Sequence, residues 1–359
     1  MKGTRFWFTA LCCTLITVLV FFFLPHNAYL RYQLLDVGVY AKAKWIYERV
    51  NLSETPIDIA FIGTSHTLNG IDSQLVESQI NANTDKKRHV VNFAIPHLGR
   101  DMHYTLIHML LQKHTPEAIV LEVRESEARD MHPGTHYIAE SASLINAPLI
   151  VNLRYAGNLV RQPGRNLKVA LNSLFPWLST LSFSKSASDI ADHKNYALTF
   201  PDDRTRPLSP GKQKLDEERR NENISAPYKY NHISDIKSLL FFNANNTYVK
   251  RIQALAAEKG VDIYYLYLPD YGTEEFPLRN IYMNNWDEMI YPDFQFYQKA
   301  EYFNDLGHLN AEGARLMSEF VGQVLSCKLE SAVRDQNDGT MITQYVDVGA
   351  AQNQKKELQ

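Results

Sequence analysis

The residues with the clearest potential for chemistry are Ser65, Asp305 and His308. A serine hydroxyl is a poor nucleophile at neutral pH unless a neighbouring base takes its proton. Imidazole is the usual base, and a carboxylate commonly holds the imidazole in the required tautomer. The set predicts a Ser–His–Asp triad, with Ser65 as nucleophile, His308 as base and Asp305 as the residue that orients the base. His66 is expected to pack or hydrogen-bond beside the nucleophile, because adjacent side chains do not face each other.

Ser65 follows a short apolar segment that predicts a buried strand. The segment Ile59–Gly63 shows little alternation, which is typical of a strand covered on both faces of a parallel sheet. Gly63 permits a sharp exit from that strand, and Asp72 predicts a capped helix start soon afterwards. Ligands bind at the carboxyl edge of such sheets, so we expect Ser65 to lie at that edge. Roughly 240 residues separate Ser65 from His308, and only the fold can bring them together.

Strands and helices alternate along much of the remaining chain. Further strands are predicted at 89–94, 118–123 and 261–268, and helices at 101–113, 243–259 and about 311–325. This alternation predicts an α/β fold with a doubly wound, mostly parallel sheet flanked by helices.

The amino terminus predicts a membrane anchor. Phe6–Leu24 contains nineteen residues without a charge, and Lys2 and Arg5 precede it. A membrane-spanning helix needs about 20 apolar residues, whereas the apolar part of a secretory signal has roughly 7–15. Because the residues that follow are too bulky for a cleavage site, we expect residues 1–26 to form an uncleaved signal anchor in the cytoplasmic membrane. The part of the chain that follows the anchor would then face the periplasm or the exterior. A cleaved signal peptide is the alternative.

The rest of the chain divides into three predicted parts. Residues 27–56 predict a stalk helix and linker, because apolar residues recur there at helical spacing. The main domain is predicted over 57–328. Its regular pattern is lost at about 131–234, which predicts an insertion of short helices, broken at Pro163–Gly164, and partly mobile loop. The polar residues 329–359 predict a disordered tail.

Charge and composition argue against several classes of function. A formal net charge of -3 provides no basic field for nucleic acid, so no nucleic-acid partner is expected. Only Cys327 lies outside the apolar amino-terminal segment, which leaves no internal disulfide and no cysteine metal site. His97, His103 and His108 lack a carboxylate at ligand spacing. Neither a metal nor another cofactor is therefore predicted.

The ordered motifs resemble those of the SGNH (GDSL-type) hydrolase superfamily. Gly63–Ser65 is similar to its first block, Asn92–Gly99 to its second, and Asp305–His308 to its last, which precedes the final helix. The resemblance covers roughly residues 57–125 and 243–325, and it implies an SGNH-like, flavodoxin-like three-layer fold. A Gly-Thr-Ser-His first block and an N-terminal anchor are both familiar in the membrane-anchored branch that acylates or deacylates cell-surface polysaccharides.

The resemblance has a gap at the third block of the family. That block is Gly-x-Asn-Asp after the third strand, and its asparagine contributes to the oxyanion hole. Residues 120–125 here contain neither that glycine nor that asparagine. The resemblance then leaves the backbone N–H groups of Ser65 and Gly99 as oxyanion donors, with Asn92 or Arg124 as a further candidate.

Two other groups of residues receive structural interpretations. The charged residues Glu122, Arg124, Glu125 and Glu127 are expected to be rim charges or members of ion pairs. The aromatic residues between Tyr271 and Tyr302 are expected to pack in the core and loops. A carbohydrate-stacking wall over the cleft is their functional alternative.

The resemblance implies a membrane-anchored serine O-acyltransferase or esterase. Its substrates would be acyl groups, most simply acetyl, of a cell-surface polysaccharide, and a polytopic membrane-bound O-acyltransferase would be the donor partner. The alternative is an inactive SGNH-like subunit that binds glycan or acts as a scaffold in an envelope polysaccharide assembly. The acceptor (water or a sugar), the acyl donor, the polysaccharide and the oligomeric state are left open by the sequence.

Overall fold

The computed structural model of the chain describes residues 2–35, 40–82, 84, 86–123, 131–149, 152–175, 177, 208–221, 243–274 and 288–338. Predictions for Arg124, Glu125, Glu127, most of the polar part of the insertion, the aromatic residues within 275–287 and the end of the tail lie outside these residues.

A sheet of five parallel strands forms the centre of the domain. The strands are β1 (Ile59–Ile62), β2 (Val90–Asn92), β3 (Ala118–Val123), β4 (Asp262–Tyr267) and β5 (Met289–Ile290). They lie in the order β2-β1-β3-β4-β5. The predicted α/β fold with a doubly wound parallel sheet is confirmed, and this order puts the topological switch point between β1 and β3. β5 was not predicted, because a two-residue strand has no periodic signal.

Helices cover both faces of the sheet. In chain order, the α-helices of the described residues are α1 (Lys2–Phe22), α2 (Ala28–Gln33), α3 (Lys42–Asn51), α4 (Ser65–Gly70), α5 (Ser73–Asn81), α6 (Arg100–Lys113), α7 (Thr135–Ile138), α8 (Ser141–Ile145), α9 (Tyr155–Leu174), α10 (Lys212–Asn221), α11 (Asn243–Lys259), α12 (Phe294–Tyr297) and α13 (Ala311–Asp338). The exposed helix α1 is not one of those that cover the sheet. One core lies between the sheet and α3, α6 and α11, and the other between the sheet and α5, α10 and α13. Ala60 and Ile62 enter the first core and Ile59 and Phe61 the second, which explains why β1 is apolar throughout.

The segment 27–56 differs from the predicted stalk helix. It forms two separate helices, α2 and α3, that belong to the domain. Leu30 and Ile46 are completely buried. Arg49 of α3 donates to the carbonyl oxygens of Thr55 and Pro56, at 2.6 and 2.5 Å, just before β1. The apolar residues do recur at helical spacing, but they pack into the core of the domain and do not form a separate stalk.

The insertion is more helical than predicted. Pro163 does not break α9, which continues for 20 residues. Gln162 and Arg165 on either side of the proline are buried and donate to the Ala139 carbonyl, at 3.5 and 2.7 Å, which anchors both halves of the helix. Part of the predicted mobile loop is helix α10, because Leu215 packs into the second core.

The last helix is longer than predicted. α13 extends to Asp338, so residues 329–338, predicted to be disordered, are helical. Val321, Leu325 and Leu329 form a buried apolar row that carries the helix past the predicted end. Tail residues after 338 lie outside the described residues.

Within the part of the chain that the structure describes, one helix is long and apolar enough to cross a membrane. It is Thr4–Phe22, with 19 residues, and its most apolar stretch of 18 residues contains no buried side chain. The position agrees with the predicted Phe6–Leu24 segment. Its orientation, and the membrane in which it lies, stay predictions.

Candidate active site

Ser65 lies at the carboxyl edge of the sheet, as predicted, directly after β1. It is the first residue of α4, and Thr64 caps that helix by accepting a hydrogen bond from the His66 N–H at 3.2 Å. A side chain at Gly63 would collide with Thr67 Oγ1 and the Glu122 carboxylate, which explains the glycine. The Ser65 hydroxyl is therefore presented on a tight strand-to-helix turn.

The fold brings all three predicted catalytic residues together. His308 Nε2 lies 2.8 Å from Ser65 Oγ, although the two residues are 243 positions apart. His308 Nδ1 lies 2.9 and 3.0 Å from the two carboxylate oxygens of Asp305. Because the carboxylate accepts, Nδ1 carries the proton, and Nε2 is left to accept the Ser65 proton. These three side chains form a connected Ser–His–Asp triad.

The loop before α13 holds Asp305 as an ionised partner. Burial by itself would raise the pKa of Asp305, but the hydrogen bond and charge interaction with His308 oppose it, as do the N–H groups of Gly307 and His308. The net effect lowers the pKa of this carboxyl below its ordinary value. Asp305 Oδ1 accepts from both N–H groups at 2.9 Å, so the residue also caps the turn that carries His308.

Glu122 is a buried support of the Thr64–Thr67 turn that carries Ser65. Of the two alternatives predicted for it, the exposed rim charge was wrong. Its side chain is about 1% exposed at the end of β3. The Thr64 N–H and hydroxyl donate to this carboxylate at 2.7 and 2.8 Å. The Thr67 N–H and hydroxyl donate to it at 3.2 and 2.5 Å. Ser65 thus lies between two threonines that one carboxylate holds in place.

A clue to the position of Glu122 was present in the sequence. A carboxylate within the otherwise apolar strand Ala118–Val123 must be buried when both faces of the sheet are covered. A buried charge needs several hydrogen-bond donors. The nearest donors would come from the residues that follow the carboxyl end of the neighbouring strand. Hydroxyls and N–H groups just after β1 could therefore have been identified as candidate partners, although they were not predicted.

His66 forms a second histidine–carboxylate pair next to the triad. Its Nε2 lies 3.1 Å from Asp270 Oδ1, and its ring centroid lies 4.9 Å from that of His308. The imidazole lines a small pocket with Pro269 and Leu309. This agrees with the prediction that His66 accompanies the nucleophile, whereas Asp270 had no sequence signal.

The Asn92 side chain binds backbone groups of the surrounding turns. Both amide hydrogens are used, because Nδ2 donates to the carbonyl oxygens of Thr67 and Ile71 at 3.0 and 2.9 Å. Oδ1 accepts from the Ala94 N–H at 3.0 Å. Asn92 thus ties the end of β2 to α4, and in this arrangement it has no hydrogen left for an oxyanion.

Gly99 lies at the amino end of α6, tightly packed against His132. A Cβ atom there would collide with the His132 backbone. The Ile95 N–H, four residues earlier, donates to the Gly63 carbonyl at 3.0 Å, so this loop follows β2 alongside the nucleophile turn. The role of the Gly99 N–H as an oxyanion donor stays a prediction.

The loop around Gly99 is held by His132 in a neutral form. His132 Nε2 lies 2.7 Å from the Pro96 carbonyl and therefore donates, while Nδ1 accepts from the Gly134 N–H at 3.0 Å. Burial lowers the pKa of His132 to about 4, since a charged ring would be desolvated. The protonated ring would also lose its bond from Gly134.

We expect His132 to make the fold less stable in acid. The unfolded chain binds a proton at this residue below about pH 6.5, whereas the folded chain does so only near pH 4. Lowering the pH from about 7 to about 5 should therefore reduce the free energy of unfolding of the wild type by roughly 2 kcal/mol more than that of His132→Gln. Urea unfolding at a series of pH values measures this difference.

The control for this experiment is His108→Gln on the surface of α6, which should keep the wild-type pH dependence. Burial raises the pKa of Asp101 to about 6 and so works in the opposite direction, but Asp101 is common to all three proteins. Parallel pH curves for wild type and His132→Gln would contradict the prediction.

Among the described residues, no group of three or more His, Cys, Asp or Glu side chains could hold a metal ion. Comparison of the chain with protein-family models gave no match, and comparison with curated proteins gave none either.

Proposed function

We propose that this chain is a serine esterase or O-acyltransferase of the SGNH type. The observation that carries the proposal is the continuous contact from Asp305 through His308 to Ser65. A hydroxyl with an imidazole at 2.8 Å, oriented by a carboxylate, is the arrangement that acyl transfer through an acyl-enzyme requires. The ordered sequence blocks described above support the same class.

In the proposed mechanism, Ser65 Oγ attacks the carbonyl carbon of an acyl ester while its proton passes to His308 Nε2. The negative charge on the carbonyl oxygen would be stabilised by the N–H groups of Ser65 and Gly99. His308 then donates the proton to the departing alcohol, which leaves the acyl group on Ser65. In the second half, His308 takes a proton from a sugar hydroxyl or from water as that oxygen attacks the acyl-serine. The bond between the acyl group and Ser65 Oγ then breaks, and His308 returns the proton to Ser65 Oγ, which restores the free serine.

The exposure of the triad supports a large acceptor. The side chains of His308 and Asp305 are 28% and 53% exposed, so the reacting atoms lie near the protein surface. Pockets that enclose small ligands bury most of the ligand surface. We propose a cell-surface polysaccharide as the substrate, with acetyl as the simplest acyl group and a polytopic membrane-bound O-acyltransferase as the donor partner. α1 would anchor the chain in the cytoplasmic membrane with the domain outside.

A serine-reactive fluorophosphonate probe tests the proposal on the full-length protein. Wild type and Ser78→Ala, which changes an exposed serine of α5, should be labelled equally. Ser65→Ala should not be labelled, because the activated hydroxyl is gone. Equal labelling of Ser65→Ala and wild type would reject the enzyme.

The incomplete third block at residues 120–125 favours a second candidate, an inactive glycan-binding or scaffold subunit. This candidate requires that Ser65→Ala and His308→Ala leave cell-surface acylation intact while deletion of the protein abolishes the polysaccharide assembly. Loss of acylation in both point variants, at normal protein levels, would reject the scaffold.

A further inference from the structure

Helix α9 is oriented with its polar side toward the protein. Its buried positions are mainly polar: Asn158, Gln162, Arg165 and Asn166, with Val169 and Ala170. A surface helix of a water-soluble domain normally buries its apolar side and exposes its polar side. The reversed orientation needs an explanation.

Specific hydrogen bonds hold the polar side of α9 in place. Arg165 Nη1 donates to the carbonyl oxygens of Tyr137 and Ala139 at 3.0 and 2.7 Å. Gln162 Nε2 donates to Ser141 Oγ at 3.2 Å. A rotation that buried the apolar residues instead would leave these groups without partners, so the apolar side is held outward.

The outward side of α9 and the residues flanking it form an exposed apolar surface, which we call the α9 outer face. It comprises Leu149, Leu153, Val160, Leu171, Leu174, Phe175 and Trp177. Val160 and Trp177 are 80% and 74% exposed, so neither is covered by the described part of the chain. Contiguous exposed apolar surface of this kind marks a site of association.

The charges of this region are all of one sign. Residues 141–177 contain no Asp or Glu, and their basic residues include Arg161 and Lys168, both exposed on α9. Apolar side chains together with Lys and Arg are the composition of helices that lie in the interface of anionic bilayers. An acidic protein groove would offer no partner for the apolar residues, which form most of the surface.

Helix α9 is adjacent to the carboxyl end of the apolar helix α1. The Phe22 carbonyl, at the last residue of α1, accepts from Ser141 Oγ and from Asn166 Nδ2, each at 2.6 Å. Val160 and Leu174 are within about 12 Å of Asn166 along the helix axis. A bilayer that contains α1 would therefore have its surface at the level of α9.

We propose that the α9 outer face lies in the headgroup region of an anionic phospholipid bilayer, so that α1 and α9 together hold the domain at the membrane surface. The apolar residues would enter the boundary of the acyl chains, while Arg161 and Lys168 would contact lipid phosphates. The proposal rests on the membrane insertion of α1, which belongs to the proposed function. It is independent of the Ser65 chemistry.

The test uses the full-length protein, with Cys12→Ala, Cys13→Ala and Cys327→Ser as the background, in nanodiscs of phosphatidylcholine and phosphatidylglycerol. Single cysteines at Val160, Gln74 and Leu15 carry an environment-sensitive fluorophore, and doxyl-phosphatidylcholine is the quencher. Gln74 is exposed on α5, and Leu15 lies within α1. Quenching at Val160 should be about threefold or more above that at Gln74. Adding Arg161→Glu and Lys168→Glu should reduce quenching at Val160 toward the Gln74 level.

Each other outcome overturns the proposal in a distinguishable way. Quenching at Leu15 with none at Val160 would reject the α9 outer face while keeping the anchor. No quenching at Leu15 would reject the anchor and this proposal together, yet fluorophosphonate labelling of Ser65 would still report on the triad. A blue-shifted but unquenched label at Val160 would assign the surface to a protein instead, a second copy if the shift depends on concentration.

Discussion

Replacing His308 with glutamine should lower the rate of ester cleavage by roughly 10⁴- to 10⁶-fold, as expected for a residue that takes the nucleophile's proton. Glutamine has similar bulk but cannot accept and return a proton at neutral pH, so Ser65 would remain a protonated alcohol. The measurement is the hydrolysis of a chromogenic acetyl ester by the purified protein. The thermal unfolding midpoint should change little, because His308 is a partly exposed loop residue.

The matched control is His89→Gln. His89 directly precedes β2, at the opposite edge of the sheet from Ser65, and should keep wild-type activity. The double variant Ser65→Ala, His308→Gln should be no slower than Ser65→Ala, because residues that act as a unit have non-additive effects. A His308→Gln protein within tenfold of wild type would show that His308 is not the base.

Replacing Glu122 with alanine should impair both stability and activity. The change leaves the Thr64 and Thr67 N–H groups and hydroxyls buried without their acceptor. Each unpaired group should lower the free energy of unfolding by roughly 1–3 kcal/mol. It also opens space behind Gly63, so the turn that presents Ser65 would lose its fixed position. A displacement of about 1 Å at a reacting group can cost about 10²-fold in rate. Urea unfolding and ester hydrolysis measure the two effects.

Glu122→Gln separates charge from shape in the same experiment. The amide keeps the volume but offers one acceptor oxygen in place of two, so we expect an intermediate loss. Glu117→Gln, just before β3, is the matched control, since Glu117 is half-buried and pairs with Arg88 at 3.0 Å far from the triad. Wild-type stability and rate for Glu122→Ala would contradict a supporting role for this carboxylate.

Much of the fold was predictable because its signals are local. The buried strand before Ser65, the alternation of strands and helices, and the Asp305–His308 spacing each depend on a few neighbouring residues. Such signals report which side chains are available and at which edge of a parallel sheet they lie. They also predicted the apolar amino-terminal helix, since length and absence of charge define it.

Other properties depended on partners far apart in the sequence. Glu122 was expected to be a rim charge or a member of an ion pair, because its four donors lie 55 to 58 positions earlier and become neighbours only when β1 pairs with β3. Asn92 is turned away from the nucleophile by the carbonyl groups of Thr67 and Ile71, which a sequence block cannot reveal. The same holds for α9, whose orientation is set by hydrogen bonds to residues 137–141 and Phe22.

The candidate chemical groups could be recognised from local segments: a serine after a buried strand, and a histidine with its carboxylate before the last helix. Local composition is sufficient for that, because residue type and strand-end position are properties of short segments. The distance of 2.8 Å between His308 Nε2 and Ser65 Oγ, and the hold of Glu122 on the Thr64–Thr67 turn, arise from the folded chain. Contacts across more than fifty residues depend on strand order and packing, and these follow from the whole chain.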